Sequence, residues 1–147
     1  MKNKNILLVN KPAGPASHDV IDKIRKITGE RRVGHAGTLD PFAEGLLIVL
    51  IGRESTRQQH DFMKLDKEYI ATLHLGIETD TQDPTGKITR ESDPNAVAPD
   101  LKTIKKSIKK FEGDLQQVPP DYSAIKVAGK RAYKLARKGE KVELEAR

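Results

Sequence analysis

Residues 34 to 50, GHAGTLDPFAEGLLIVL, set a glycine-rich loop directly against a continuous apolar run. Leu46 to Ile51 are six aliphatic residues in succession, far too short to span a membrane and too apolar for an exposed strand. They predict a strand in the middle of a sheet. In the loop ahead of it, Gly34, Gly37 and Gly45 permit tight or left-handed backbone and close approach by another molecule, while Pro41 stiffens the bond after Asp40. A single carboxylate is thereby mounted at the mouth of a buried strand, as active-site groups commonly are. Asp-Pro also favours turn initiation, so the loop by itself is equally consistent with an ordinary turn.

Around this feature the chain alternates between helix and strand signals. Asn5 to Val9 predict a short buried strand closed by Asn10, Lys11 and Pro12. Ser17 is placed to cap a helix with the apolar stripe Val20, Ile21, Ile24 and Ile27, ended by Gly29. Arg53 to Lys64 are polar with helical character. Lys67 to Gly76 alternate, with Tyr69, Ala71, Leu73 and Leu75 on one face and Ile70, Thr72 and His74 on the other, which predicts a sheet strand. Glu78 to Gly86 form an acidic loop with Lys87 to Glu91 as its return strand. Leu101, Ile104, Ile108 and Phe111 have helical spacing, with solvent-facing lysines between them and Gly113 at the end. Asp114 to Val118 and Tyr122 to Val127 predict two strands about Pro119-Pro120; Ala128-Gly129 then turns into a basic helix from Arg131 to Lys138, and Val142 and Leu144 begin a further strand.

Strict βαβ alternation is absent and the connections are hairpin-like. The expected class is α+β, a mixed, mainly antiparallel sheet flanked by helices. No repeat, low-complexity tract or linker divides the 147 residues, so one domain is expected.

Charge points to a polyanionic partner. Lys and Arg number 27 against 21 Asp and Glu, a net +6, and residues 126 to 141 hold Lys126, Lys130, Arg131, Lys134, Arg137, Lys138 and Lys141 against Glu140 alone. The absence of cysteine excludes disulfides, thiol chemistry and cysteine metal sites. The N-terminal apolar run is too short for a signal peptide, which makes a cytoplasmic protein without a membrane partner the expectation. Ser17-His18-Asp19 holds the residue types of a hydrolase triad, but three adjacent side chains at a helix start cannot converge. His18, His35, His60 and His74 lack paired ligand spacing, so no metal is expected. Asp80, Asp83 and Gly86 suit a hairpin loop better than a calcium loop, and no nucleotide-cradling glycine motif exists. Asp40 is the candidate left standing.

Five blocks in order resemble the bacterial tRNA pseudouridine synthases of the TruB type: LLVNKPAGPASHDV (7 to 20), RVGHAGTLDPFAEGLLIV (32 to 49), DKEYIATLHLG (66 to 76), TDTQDPTG (79 to 86) and VPPDYSAIKVAGKRAYKLARKG (118 to 139). The resemblance implies the pseudouridine synthase fold and a cofactor-free isomerisation. In it the uridine at position 55 of the tRNA TΨC loop is detached from C1′ and rejoined through C5. Asp40 matches the family's essential aspartate, acting ionised as nucleophile or as a base toward the sugar. Tyr69 matches a tyrosine that stacks on the target base with its hydroxyl near C5, although by its residues alone Tyr69 reads as strand core. His35 matches a histidine beside the flipped nucleotide, with capping of its own loop as the structural alternative. Gly37, Thr38 and Leu39 belong to the same substrate-binding loop. Tyr122 and Lys126 match a block lining the cleft, and Lys130 lies in the basic run that would meet phosphates of the TΨC arm. The implied protein acts as a monomer.

The chain departs from the family at its end. The resemblance implies further catalytic strands with a KGTYIR-like block, whose arginine pairs with the catalytic aspartate, and a small RNA-binding domain; residues 1–147 include neither. The expectation is therefore a C-terminally incomplete catalytic domain in which Asp40 lacks its charge partner and a sheet edge stays uncovered. Two alternatives accompany it: a catalytically inactive RNA-binding or RNA-folding module, and a general basic nucleic-acid-binding protein.

Overall fold

The aliphatic run after the glycine loop forms the middle of a three-stranded antiparallel sheet, in which β1 (Ile6–Lys11) and β2 (Val33–Ala36) flank β3 (Gly45–Ile51). This computed structural model describes residues 5–120, 122–123, 125–127, 129–136, 138–140 and 144–146. Val9 lies opposite Leu47, and Val33 opposite Ile51. Directly opposed residues share a face, so these side chains line one side of the sheet together with Val49. Against that side α1 (Ser17–Thr28) lays Val20, Ile21 and Ile24. Ile21, Leu47 and Val49 are essentially sealed from solvent.

Several boundaries differ from expectation. β1 extends to Lys11, and Leu7 and Leu8 are exposed, so the strand is only half buried. Ser17 is the first helical residue of α1; Ala16 holds the cap position, where its N–H donates to the Asp19 carboxylate at 2.8 Å. The apolar stripe ends at Ile24, because Ile27 in the last turn is 70% exposed. Gly29 closes the helix as expected, with φ +69° and its N–H on the Arg25 carbonyl. Residues 53 to 64 form two short helices, α2 (Gly52–Arg57) and α3 (Gln59–Met63), parted at Gln58.

The strand expected from Lys67 to Gly76 is not formed. The segment is irregular, with Ile70 98% and Leu73 76% exposed. Alternation assigns residues to faces, but a strand also needs a neighbour to take its backbone hydrogen bonds, and among the described residues no strand pairs with this segment, only the Gly76 carbonyl at its end accepting the Ser92 N–H. The chain divides within this segment into two compact units, Met1–Ala71 and Thr72–Arg147.

The second unit contains the expected hairpin, β4 (Ile77–Thr79) with β5 (Ile88–Glu91), and the helix α4 (Leu101–Ile108) followed by a 3-10 turn (Lys109–Phe111). Asp100 caps α4 by accepting the Thr103 N–H at 2.7 Å. A small hairpin, β6 (Lys126–Val127) with β7 (Lys130–Arg131), leads into α5 (Ala132–Ala136). Asp114 to Val118 are irregular rather than a strand, Tyr122 to Val127 narrows to the two residues of β6, and the basic helix is shorter than expected. Leu144 is irregular; Val142, Ala128, Arg137 and Lys141 lie outside the described residues. Every described strand pairing is antiparallel, as the α+β class requires, and the strands form three small sheets rather than one. No described helix is long and apolar enough to cross a membrane.

Candidate active site

Asp40 lies exposed in the connection from β2 to β3, and its carbonyl accepts the Ala43 N–H at 3.1 Å. It does open a turn, as Asp-Pro favours. What sets this turn apart is the anchoring of the residues on both sides.

On one side is Leu39. The Ser17 hydroxyl accepts the Leu39 N–H at 2.9 Å and donates to the Leu39 carbonyl at 2.8 Å, satisfying both backbone groups of one residue. Ser17 is 3% exposed, so water does not compete for these bonds. On the other side, the Pro41 carbonyl accepts the Gly14 N–H at 2.7 Å and the Lys11 ammonium at 3.3 Å. Lys11 is completely buried, and its Nζ donates to the carbonyls of Pro12 and Pro15, both at 2.9 Å. Its three ammonium hydrogens thus have three carbonyl partners, which makes the buried charge tolerable.

Lys11 and Ser17 were not among the residues expected at the site. Ser17 reads as a helix cap and Lys11 as the end of a strand. The available signal was a lysine at the end of an apolar strand followed by Pro12 and Pro15, a stretch in which prolines contribute carbonyls but no N–H.

His35 stands in β2 with Nδ1 2.6 Å from the Gly37 carbonyl. A carbonyl only accepts, so Nδ1 carries the hydrogen, and in the neutral ring Nε2 is left as an acceptor. His35 therefore does cap its own loop, and its carbonyl in turn accepts from Gln59 Nε2 at 2.9 Å. Gly37 and Gly45 have φ of +87° and +126°, a backbone that needs glycine. Gly34, grouped with them in the sequence, is an ordinary strand residue beside Thr56.

Among the described residues the Asp40 carboxylate has no hydrogen-bond or ion-pair partner. The structure thus gathers Lys11, Ser17, His35 and Gly37 to Pro41 into one bonded group, with Thr38 exposed at its surface. Tyr69 takes no part in it: the residue is 67% exposed in the irregular segment and its hydroxyl makes no hydrogen bond among the described residues. Tyr122, Lys126 and Lys130 belong to the second unit, Tyr122 in a turn and the two lysines exposed on β6 and β7.

A family model described as "TruB family pseudouridylate synthase (N terminal domain)" matches residues 25–147. The chain belongs to this family. The tRNA pseudouridine synthase B of Desulfotalea psychrophila is 50% identical over 143 residues, which cover 97% of this chain and 57% of the relative. That of Protochlamydia amoebophila is 45% identical over 140 residues, covering 95% of this chain and 52% of the relative. The chain thus spans about half the length of the curated relatives it matches. Among solved structures, a chain in the crystal structure of a Cbf5-Nop10-Gar1 complex is similar at 27% identity and a TM-score of 0.54, over 83% of this chain and 31% of that one. The TruB family match includes Asp40, Tyr69 and the basic run but begins after Lys11 and Ser17.

Proposed function

We propose that Asp40 is the catalytic carboxylate of a tRNA pseudouridine synthase that isomerises the uridine at position 55 of the TΨC loop. The observation that carries this reading is the anchoring of Leu39 and Pro41 on either side of an exposed carboxylate that no other described residue engages. An isomerase of this kind needs no redox partner: the C1′–N1 bond breaks, the base turns, the C1′–C5 bond forms, and the proton on C5 leaves while N1 gains one. The ionised Asp40 acts as nucleophile toward the ribose or base, or takes a proton from the sugar. Tyr69 stacks on the base and its hydroxyl serves the proton transfer at C5. The target nucleotide must first leave its stack, and His35 stands beside it once it has flipped. Gly37, Thr38 and Leu39 bind the nucleotide beside Asp40, Tyr122 and Lys126 line the cleft, and Lys130 with the rest of the basic run meets phosphates of the TΨC arm. Residues 1–147 are on this reading the N-terminal part of the catalytic domain, acting as a monomer.

The test is conversion of a tRNA transcript, read by chemical labelling of pseudouridine and primer extension. Asp40→Asn is expected to abolish conversion while changing tRNA affinity by less than about twofold. Undiminished product from Asp40→Asn overturns the assignment. The second reading is an RNA-binding module without chemistry. It predicts tRNA binding by the parent chain without conversion.

A further inference from the structure

Residues 101 to 110, α4 and the start of the turn after it, contain five lysines and no acidic residue. Lys102, Lys105, Lys106 and Lys109 stand at i, i+3, i+4 and i+7, the spacing of a single helical face. Ile104 and Ile108 fall on the other side, with Leu101 at the border. All four lysines are exposed, none meets a carboxylate among the described residues, and with Leu101 they line one shallow concavity. Like charges at these spacings repel, so the helix is held against its own surface charge. A polyanion laid along the face removes that repulsion. From Lys102 to Lys109 the helix rises about 10 Å, over which one strand of a duplex presents about three phosphates.

We propose that the face formed by Lys102, Lys105 and Lys106 of α4 with Lys109 of the turn after it is a phosphate-contacting surface for the sugar-phosphate backbone of RNA, additional to the basic run of residues 126 to 138. The inference rests on the reading of the chain as one that acts on RNA.

The decisive variant is Lys102→Gln/Lys105→Gln/Lys106→Gln/Lys109→Gln, since glutamine keeps helix propensity close to that of lysine. Binding of a tRNA transcript is measured between about 50 and 200 mM salt. Affinity is expected to fall about tenfold or more, with the slope of log affinity against log salt shallower by about 2 to 3. The matching arginine variant is expected to bind like the parent. If the quadruple variant loses helical circular dichroism, Lys102→Gln/Lys106→Gln gives the same reading with about half the slope change. Affinity and slope within about twofold of the parent overturn the surface, and so does loss of binding to anionic vesicles with tRNA binding intact. If Asp40-dependent conversion persists in that case, the proposed function survives alone. A parent chain that binds no tRNA overturns both.

Discussion

The Ser17 hydroxyl and the backbone of Leu39 form a closed pair, one oxygen meeting both the N–H and the carbonyl across 22 residues of sequence. Replacing Ser17 by alanine leaves both backbone groups of Leu39 without this partner. Ser17→Ala is expected to destabilise the protein by about 1–3 kcal/mol, read by thermal or urea unfolding, with faster hydrogen exchange at the Leu39 amide. If the pair positions Asp40, turnover falls while tRNA affinity stays near that of the parent. An unchanged Leu39 exchange rate would contradict the pairing.

The Lys11 ammonium offers a second test on the other side of the loop. Lys11→Met keeps the buried stem but removes the donors to Pro12, Pro15 and Pro41. Charged hydrogen bonds contribute about 1.5–3 kcal/mol, so a loss of roughly that size is expected on denaturant unfolding. A variant as stable as the parent would show that the ammonium bonds add nothing.

The glycines of the loop should separate by backbone rather than by position. Gly37 has φ +87°, so Gly37→Ala is expected to cost about 1–2 kcal/mol. A Cβ on Gly34 would meet only Thr56 Cγ2 at 3.5 Å, an ordinary contact, and Gly34→Ala should unfold within about 0.5 kcal/mol of the parent. The reverse ranking in melting temperature would contradict the assigned backbone.

The acidic loop supplies a pH dependence. Partial burial alone would raise Asp83, but hydrogen bonds from the Thr85 and Thr81 hydroxyls and from the Thr85 N–H outweigh it and hold the carboxyl below its ordinary 3.8. A depressed folded value means that the ionised group stabilises the loop at all pH above the unfolded value, and that this stability is lost as pH falls through the folded one. The Thr85 amide resonance should therefore titrate with a midpoint below 3.8. A midpoint above 3.8 would reverse the sign.

What local pattern could reveal, it did. The aliphatic run became β3, Gly29 and the hairpin about residues 79 to 88 came out where turn chemistry put them, and Leu101 to Ile108 became α4. Lys67 to Gly76 failed because alternation describes a strand's faces and says nothing of whether a neighbour exists to pair with it. The same reason underlies the segment from Asp114 to Val118. Asp40 was legible through its own loop, whereas Ser17 and Lys11 act on residues 22 and 30 positions away and carry no local mark of doing so. Tyr69 was reached only through family resemblance.

The contacts that fix the turn all end on main-chain atoms of Leu39, Asp40 and Pro41, and none requires a particular side chain at position 40. Scaffold and side chain are therefore separable at position 40. A panel of cysteine, serine, glutamate or non-natural acids there becomes a direct assay of chemical reactivity, with the surrounding architecture as a constant background. A thiol at this position would also serve as an attachment point for trapping a bound nucleotide covalently.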